Sequence, residues 1–327
     1  MTQATIPAPA APRRFDFAGF WRKYPFAFAL ALTIVMLAIT IIAQPNFAPV
    51  QQISTWAPYA MAGIALMPAI ISGRGGIDLT VSPVMTLTGI LFIGYLAPAG
   101  LASIVAVPIL LALGFVIGLV NGLLIVLLRL PAVVVTLAMM FVYSGVNVLL
   151  APSPLTISGN WITALSGDWG GFFPAALVAL AIPFVAWILL ARSAWGRSLY
   201  AAGGNDATAF SAGVNVAFLR ISAFVLGSMF AVWGGLVLVS LTSSANASTS
   251  ASLVTTSIAS VALGGISLAG GRGGILGALC GSAVIYLVQR ILSTFQVPTM
   301  WLNLVYGLLL IVAVVLGAIL ASPRTKR

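Results

Sequence analysis

ISGRGGIDLTVSP, residues 71–83, interrupts long apolar sequence with an arginine and an aspartate, Arg74 and Asp78, four positions apart. Of the 327 residues, 61% are hydrophobic and only 6% are charged. A soluble domain is usually about a quarter charged, so this balance places the chain in a bilayer. Where charge is so scarce, a close pair of opposite sign is a surface turn between two spans, a buried ion pair, or part of a site.

A bilayer core takes about 20 apolar residues per helix. Apolar runs of that order fall at roughly 25–43, 55–72, 80–97, 103–128, 132–151, 172–191, 217–241, 253–269, 275–296 and 300–320. The first lies too far from the start, and is too long, for a cleaved signal peptide, so it reads as a retained span. The second is short and interrupted by Pro58, Gly63 and Pro68, and the eighth is rich in Thr and Ser. Charge placement tests the count. With the N-terminus inside, the inner segments hold Arg13, Arg14, Arg22, Lys23, Arg74, Arg129, Arg192, Arg197, Arg220, Arg272, Arg324, Lys326 and Arg327, thirteen of the fourteen basic residues. The outer segments hold none, which is the positive-inside pattern, and removing any one span would scramble it. The expected fold is all-α and membrane-embedded, with about ten transmembrane helices and both termini cytoplasmic. A cytoplasmic tail at 1–24 precedes a transmembrane domain at 25–320, and a second tail follows at 321–327. Arg290, near the outer end of the ninth run, is the exception. It either snorkels to the outer interface or belongs to a polar route.

On this topology GRGGID is an inner turn. Gly73, Gly75 and Gly76 permit positive φ, and Asp78 is placed to cap the next helix, where the macrodipole favours a negative group. The competing reading is functional. Pro and Gly interruptions at membrane depth are tolerated where they face protein or a water-lined cavity, and transporters place substrate there. The motif recurs as LAGGRGGILG (268–277), on the same face and without the aspartate.

Glu and His are absent, and the acids are Asp16, Asp78, Asp168 and Asp206. No carboxylate pair, Ser-His-Asp set or metal cluster can be drawn from that inventory, so neither an enzyme nor a bound cofactor or metal is expected. Cys280 is alone and reads as a buried small residue. The net charge of +10 is scattered beside apolar runs, which argues against nucleic acid as a partner. No GxxxxGK[ST] phosphate loop occurs, and the only lysines are Lys23 and Lys326.

GGIDLTV (75–81), GLVNGLLIVLLRLPAVVVTLAMM (118–140), GRSLYAAGGNDATAFSAGVNV (196–216) and ASVALGGISLAGGRGG (259–274) together resemble the permease family of bacterial ABC importers for ribose, xylose and related monosaccharides. The blocks fall in family order across about residues 55–320. Departures are Ser82-Pro83, where a small pair is usual, and Val254, Thr255 and Thr256, where acids are common. The resemblance implies a permease of the inner membrane that moves a monosaccharide or similar small polar solute. It implies a cytoplasmic ATPase, a periplasmic solute-binding protein, and a second permease copy or paralogue completing a dimer. It also implies that the 192–216 loop is a coupling element, with Gly196, Arg197, Tyr200, Gly203, Gly204, Asn205, Asp206 and Gly213 in contact with the ATPase.

Candidates for lining the solute route are Asp78, Asn121 and Thr136. Gly114, Gly118 and Gly122 recur every fourth residue and predict a close-packed helix face. In the outer segment 152–171, Trp161 and Trp169 read as interface anchors or, with Asp168, as contacts for a binding protein. Two readings compete with the importer: an ion- or proton-coupled secondary carrier, for which Asp78 alone is a candidate titratable group, and a non-transporting membrane scaffold.

Overall fold

A computed structural model of the chain describes residues 26–298 apart from residue 45, together with 301, 302, 304–309, 311 and 315. The helices are α1 (Phe26–Ala43), α2 (Pro49–Ile71), α3 (Val81–Leu91), α4 (Ala106–Leu127), α5 (Ala132–Leu150), α6 (Ala176–Arg192), α7 (Ala194–Gly204), α8 (Asp206–Ser211), α9 (Val216–Thr242), α10 (Thr249–Leu263) and α11 (Ile275–Thr294). A π-helical turn, Phe92–Leu96, extends α3. Six of these helices are long and apolar enough to cross a membrane, and α6 with α7, bent by 78°, makes a seventh. Val81–Leu96 and Leu253–Leu263 are apolar but shorter. The architecture is an all-α membrane fold. The two tails and their basic residues, and most of the expected tenth run at 300–320, lie outside the described residues.

The second run departs from its sequence reading. It is not short or broken: α2 is one continuous helix of 23 residues with Pro58 and Pro68 inside it. Its most apolar stretch is 78% buried, against 22% for α5, because α9, α10, α11, α3 and α6 surround it. Tertiary packing on all sides overrides the local penalty of the two prolines. The third and eighth runs err the other way, yielding helices shorter than their apolar stretches. Cys280 is half-buried rather than enclosed.

Pairing of α9 with α4 depends on missing side chains. A Cβ at Gly118 would lie 2.4 Å from Val225 Cα and 2.6 Å from the Phe224 carbonyl; at Gly114 it would meet the Ser228 carbonyl at 3.0 Å, and at Gly122 Ile221 Cα at 2.9 Å. Backbones this close gain dispersion contacts that no larger residue permits, which is how helices associate where lipid removes the hydrophobic drive.

The connecting segments gather at two ends. At one, Asn160 Nδ2 and Trp161 Nε1 both donate to the Ala102 carbonyl, at 3.0 and 2.9 Å. There too, strand β1 (Leu155–Thr156) pairs with β4 (Ser244–Ala245), and Ser166 Oγ donates to the Ser240 carbonyl at 2.6 Å. A hairpin of β2 (Asp168–Trp169) and β3 (Phe173–Pro174) stacks Trp169 on Phe173 beside them. Trp161 is thus a hydrogen-bonded strut of this end, while Trp169 is exposed. At the opposite end meet the segments around residues 72–80, 192–216 and 264–274. Among the described residues, Arg74, Arg129, Arg192, Arg197, Arg220 and Arg272 all belong to this end's segments.

Gly118→Ala is expected to lower the thermal unfolding midpoint of the detergent-purified protein, at a cost of about 1–3 kcal/mol for forcing α4 and α9 apart. Gly145→Ala on α5, where a Cβ would meet nothing within 4 Å, is the matched control and should leave the midpoint unchanged or raise it.

Candidate functional site

The basic end is built around a meeting of backbones. The last four carbonyls of α2 all find donors: Pro68 from Ser72 N, Ala69 from Ser72 Oγ, Ile70 from Gly73 N, and Ile71 from Gly271 N at 3.1 Å. A buried helix terminus must satisfy these groups or lose their desolvation cost. The last of them is met from another element, the loop between α10 and α11. Gly203, at the end of α7, sits against the same place: a Cβ there would lie 1.9 Å from the Ile71 carbonyl and 2.7 Å from Gly271 N. Gly73, with φ 86°, approaches Gly203 Cα to 2.9 Å by the same measure, and Gly270 would meet Gly73 Cα at 2.4 Å. Three glycine loops therefore touch without side chains between them. The two GRGG copies, 73–76 and 271–274, meet at this junction on either side of Gly203.

The 192–216 segment forms two short helices. Ser193 ends α6 in extended backbone and caps α7, its Oγ accepting from Gly196 N at 3.3 Å. Gly196 lets the elbow close, since a Cβ would lie 2.4 Å from the Leu190 carbonyl. Trp187, edge-on to both Trp195 and Tyr200, packs the inside of the bend, and Tyr200 Oη donates to the Gly273 carbonyl at 2.9 Å. Asn205 caps α8 by accepting from Thr208 N at 3.0 Å. Arg197 is exposed and donates to the Arg192 carbonyl at 2.7 Å. Gly204 and Gly213 are open to solvent, with nothing within 4 Å of a Cβ at either position.

Arg74 is paired, but not with Asp78. It meets Asp206 at 2.5 Å, and Arg220 of α9 meets the same carboxylate at 2.8 and 3.0 Å. Arg74 is largely exposed and contributes little by that contact, about 0–1 kcal/mol. Arg220 is 12% exposed, so the geometry that matters is the α8–α9 pair. An open groove of about 1190 Å³ lies beside this pair, with Arg129, Phe210 and Val214 in its walls.

Asp78 is 1% exposed and serves its own loop. Its Oδ1 accepts from Thr80 N at 2.9 Å and from Thr80 Oγ1 at 2.5 Å. It does not cap α3: the cap position is Thr80, without a side-chain bond to the helix. Thr80 Oγ1 in turn accepts from Asn121 Nδ2 of α4 at 3.0 Å, while Thr136 Oγ1 of α5 donates to the Ile77 carbonyl at 2.9 Å. The three residues read as route candidates are thus gathered into one buried cluster around residues 77–80, with Asp78 Oδ2 and Asn121 Oδ1 left without a partner among the described residues. Asn147 extends it, donating to the Pro83 carbonyl at 3.0 Å. Arg290 is half-buried on α11, and among the described residues it forms no ion pair. Sequence reasoning missed Arg220 as the partner of Asp206, and missed Gly73, Gly270 and Gly271 as contacts of the 192–216 segment. The duplicated GRGG was the available signal, but pattern alone does not say that two copies touch.

Residues 48–314 match the family described as branched-chain amino acid transport system, permease component. The ribose import permease protein RbsC of Bacillus subtilis is 30% identical over 316 residues, covering 93% of this chain and 95% of that protein. The autoinducer 2 import system permease protein LsrC of Escherichia coli is 30% identical over 300 residues, covering 87% and 85%. The inner membrane ABC transporter permease protein YjfF of Escherichia coli is 32% identical over 260 residues, covering 77% and 78%. No solved structure matches.

Asp206→Asn should strand the Arg220 guanidinium, for which a loss of about 3–5 kcal/mol is expected. Arg74→Gln should cost under about 1 kcal/mol. Thermal melts of the two purified variants against the parent check the ordering, and equal midpoints would remove the inner pair from its structural role.

Proposed function

The chain belongs to the permease-component family that its match over residues 48–314 defines, and from that premise we propose that it is the membrane subunit of an ATP-driven importer for a monosaccharide or similar small neutral solute. It is a multi-pass protein of the inner membrane, and permease subunits of this kind carry no enzymatic activity of their own. On this reading the basic end faces the cytoplasm, as the charge rule requires. A separate ATPase docks on α7 and α8 there, a periplasmic solute-binding protein docks on the end closed by β1–β4, and a second permease copy or paralogue completes the route.

The observation that carries the proposal is the junction of α7 with α2 and the α10–α11 loop. A displacement of α7 by a partner meets the Ile71 carbonyl directly, with no flexible side chain to absorb it. Packed interiors transmit such a displacement as a rigid-body shift rather than a graded deformation. Within the coupling segment the residues divide by role. Gly196, Gly203 and Tyr200 hold α7 to the rest of the chain, Asn205 and Asp206 fix α8, and Arg197, Gly204 and Gly213 face outward, where a partner would meet them.

A neutral solute agrees with the charge inventory. Asp78, the acid placed deepest, bonds Thr80 through Oδ1 alone, but with no Glu or His in the chain no second carboxylate or imidazole accompanies it to form a proton relay. Nor do the importer permeases among the relatives favour a secondary carrier.

Two measurements test this reading. In proteoliposomes loaded with ATP and supplied with a cognate ATPase and solute-binding protein from the same organism, uptake of radiolabelled ribose is expected. From the permease alone, uptake driven by a pH or sodium gradient would overturn the proposal. Gly204→Trp, in a position with room for the added ring, is expected to leave the melt unchanged while reducing co-purification of the ATPase at least tenfold; full retention would remove α7 from the docking face.

A further inference from the structure

Near the end closed by β1–β4, α3, α9 and α10 enclose a pocket of about 40 Å³, walled by Met85, Thr86, Gly89, Thr242, Asn246 and Thr249 among others. One water needs about 10–15 Å³, so the space suits a single hydroxyl-bearing carbon or about three to four waters. Thr86 is 3% exposed, yet its Oγ1 has no hydrogen-bond partner among the described residues. That vacancy is not imposed by the helix. Two residues on, Thr88 turns its hydroxyl back to the Val84 carbonyl at 2.8 Å, the usual resort of a threonine in a helix at membrane depth. Thr86 forgoes that bond, leaving a buried hydroxyl in the wall of a cavity large enough to hold a partner for it.

The rest of the lining sets the class of that partner. No titratable side chain contributes, so a charged ligand would enter without compensation. Thr242, Asn246 and Thr249 supply neutral polar groups, and Met85, Leu238 and Val239 supply apolar surface. Polar edges opposite an apolar wall match the alternating O–H and C–H faces of a polyol. Gly89 keeps the pocket open, since a Cβ there would lie 2.8 Å from Val239 Cγ2 and 3.2 Å from Ala245 Cβ.

We propose that Thr86 is a specificity-determining contact that binds one hydroxyl of a neutral polyhydroxylated solute on its way inward. The proposal rests on the permease reading and places a solute contact outside the cluster of Asp78, Asn121 and Thr136, nearer the end closed by β1–β4.

The test has two independent arms. In the first, ATP-driven ribose uptake is measured at saturating loaded binding protein. Thr86→Val, which keeps the shape and removes the hydroxyl, is expected to lower the rate roughly three- to tenfold, the loss of one neutral hydrogen bond. Thr86→Ser should restore it, and Gly89→Ala should lower it with Thr86 intact. Thr86→Val at the parental rate overturns the proposal, as does a Thr86→Ser variant no better than Thr86→Val. The second arm does not need transport. Thr86→Cys in a Cys280→Ser background is expected to react with 2-aminoethyl methanethiosulfonate added from outside, and ribose at millimolar concentration should slow the reaction. No reaction, or a reaction that ribose leaves unchanged, means a closed or merely hydrated pocket and also overturns it. Absence of any ATP-driven uptake by the parent would instead count against the importer reading, leaving the labelling arm to decide on Thr86. Melts of each variant confirm that it is folded.

Discussion

The inner end of α2 is the point on which the rest of this molecule depends. A helix enclosed on every side cannot end in solvent, so its last carbonyls must be met by protein. Three are met by the turn that follows, and the fourth is met by Gly271, about two hundred residues further along the chain. Satisfying Ile71 in this way brings in the α10–α11 loop. The space that remains admits Gly203 and nothing larger. One backbone acceptor thereby fixes the relative placement of the central helix, the bent α6–α7 arm and the glycine-rich loop before α11.

The same economy governs the buried polar groups. Residues 77–80 run as irregular backbone among packed helices, where each unmet amide or carbonyl is costly. Asp78 and Thr80 pair locally, Asn121 reaches in from α4, and Thr136 and Asn147 reach in from α5. Those bonds tie the loop before α3, and the first turn of α3, to α4 and α5. A few buried polar atoms, Ser82 Oγ and Asn121 Oδ1 among them, find no partner among the described residues, and of these Thr86 Oγ1 is the one whose residue lines the pocket.

What the sequence made legible was periodic or one-dimensional. Apolar runs located nine of the helices, the placement of arginines sorted the connections into two groups that do gather at opposite ends, and the glycine spacing at 114, 118 and 122 named the face on which α4 meets α9. What escaped depended on contacts between distant residues. Pro58 and Pro68 counted as breaks because their enclosure by α9 and α11 is invisible in a local window. The sequence leaves open whether Arg74 and Asp78 pair; positive φ at Arg74 and the turn around it aim its side chain at Asp206 instead. Asp78, Asn121 and Thr136 stand out in the sequence as polar residues in apolar surroundings and read as candidates for the solute route. Pattern does not say that they converge on residues 77–80, and Thr86 looks like one more hydroxyl among many.

The junction and the pocket lie at opposite ends, yet one element serves both. Helix α9 runs unbroken for 27 residues, about 40 Å at 1.5 Å per residue. Near its start Arg220 is held by Asp206 of the 192–216 segment, and near its finish Leu238, Val239 and Thr242 form a wall of the pocket. Between them it lies against α4 and α2 through Gly118, Gly227 and Gly234, close contacts that leave little room for bending at any one point. A push on α8 at the basic end therefore reaches the opposite end as motion of a rod. On the proposed function, this is how a motor that never touches the solute can change the shape of the place where the solute is held.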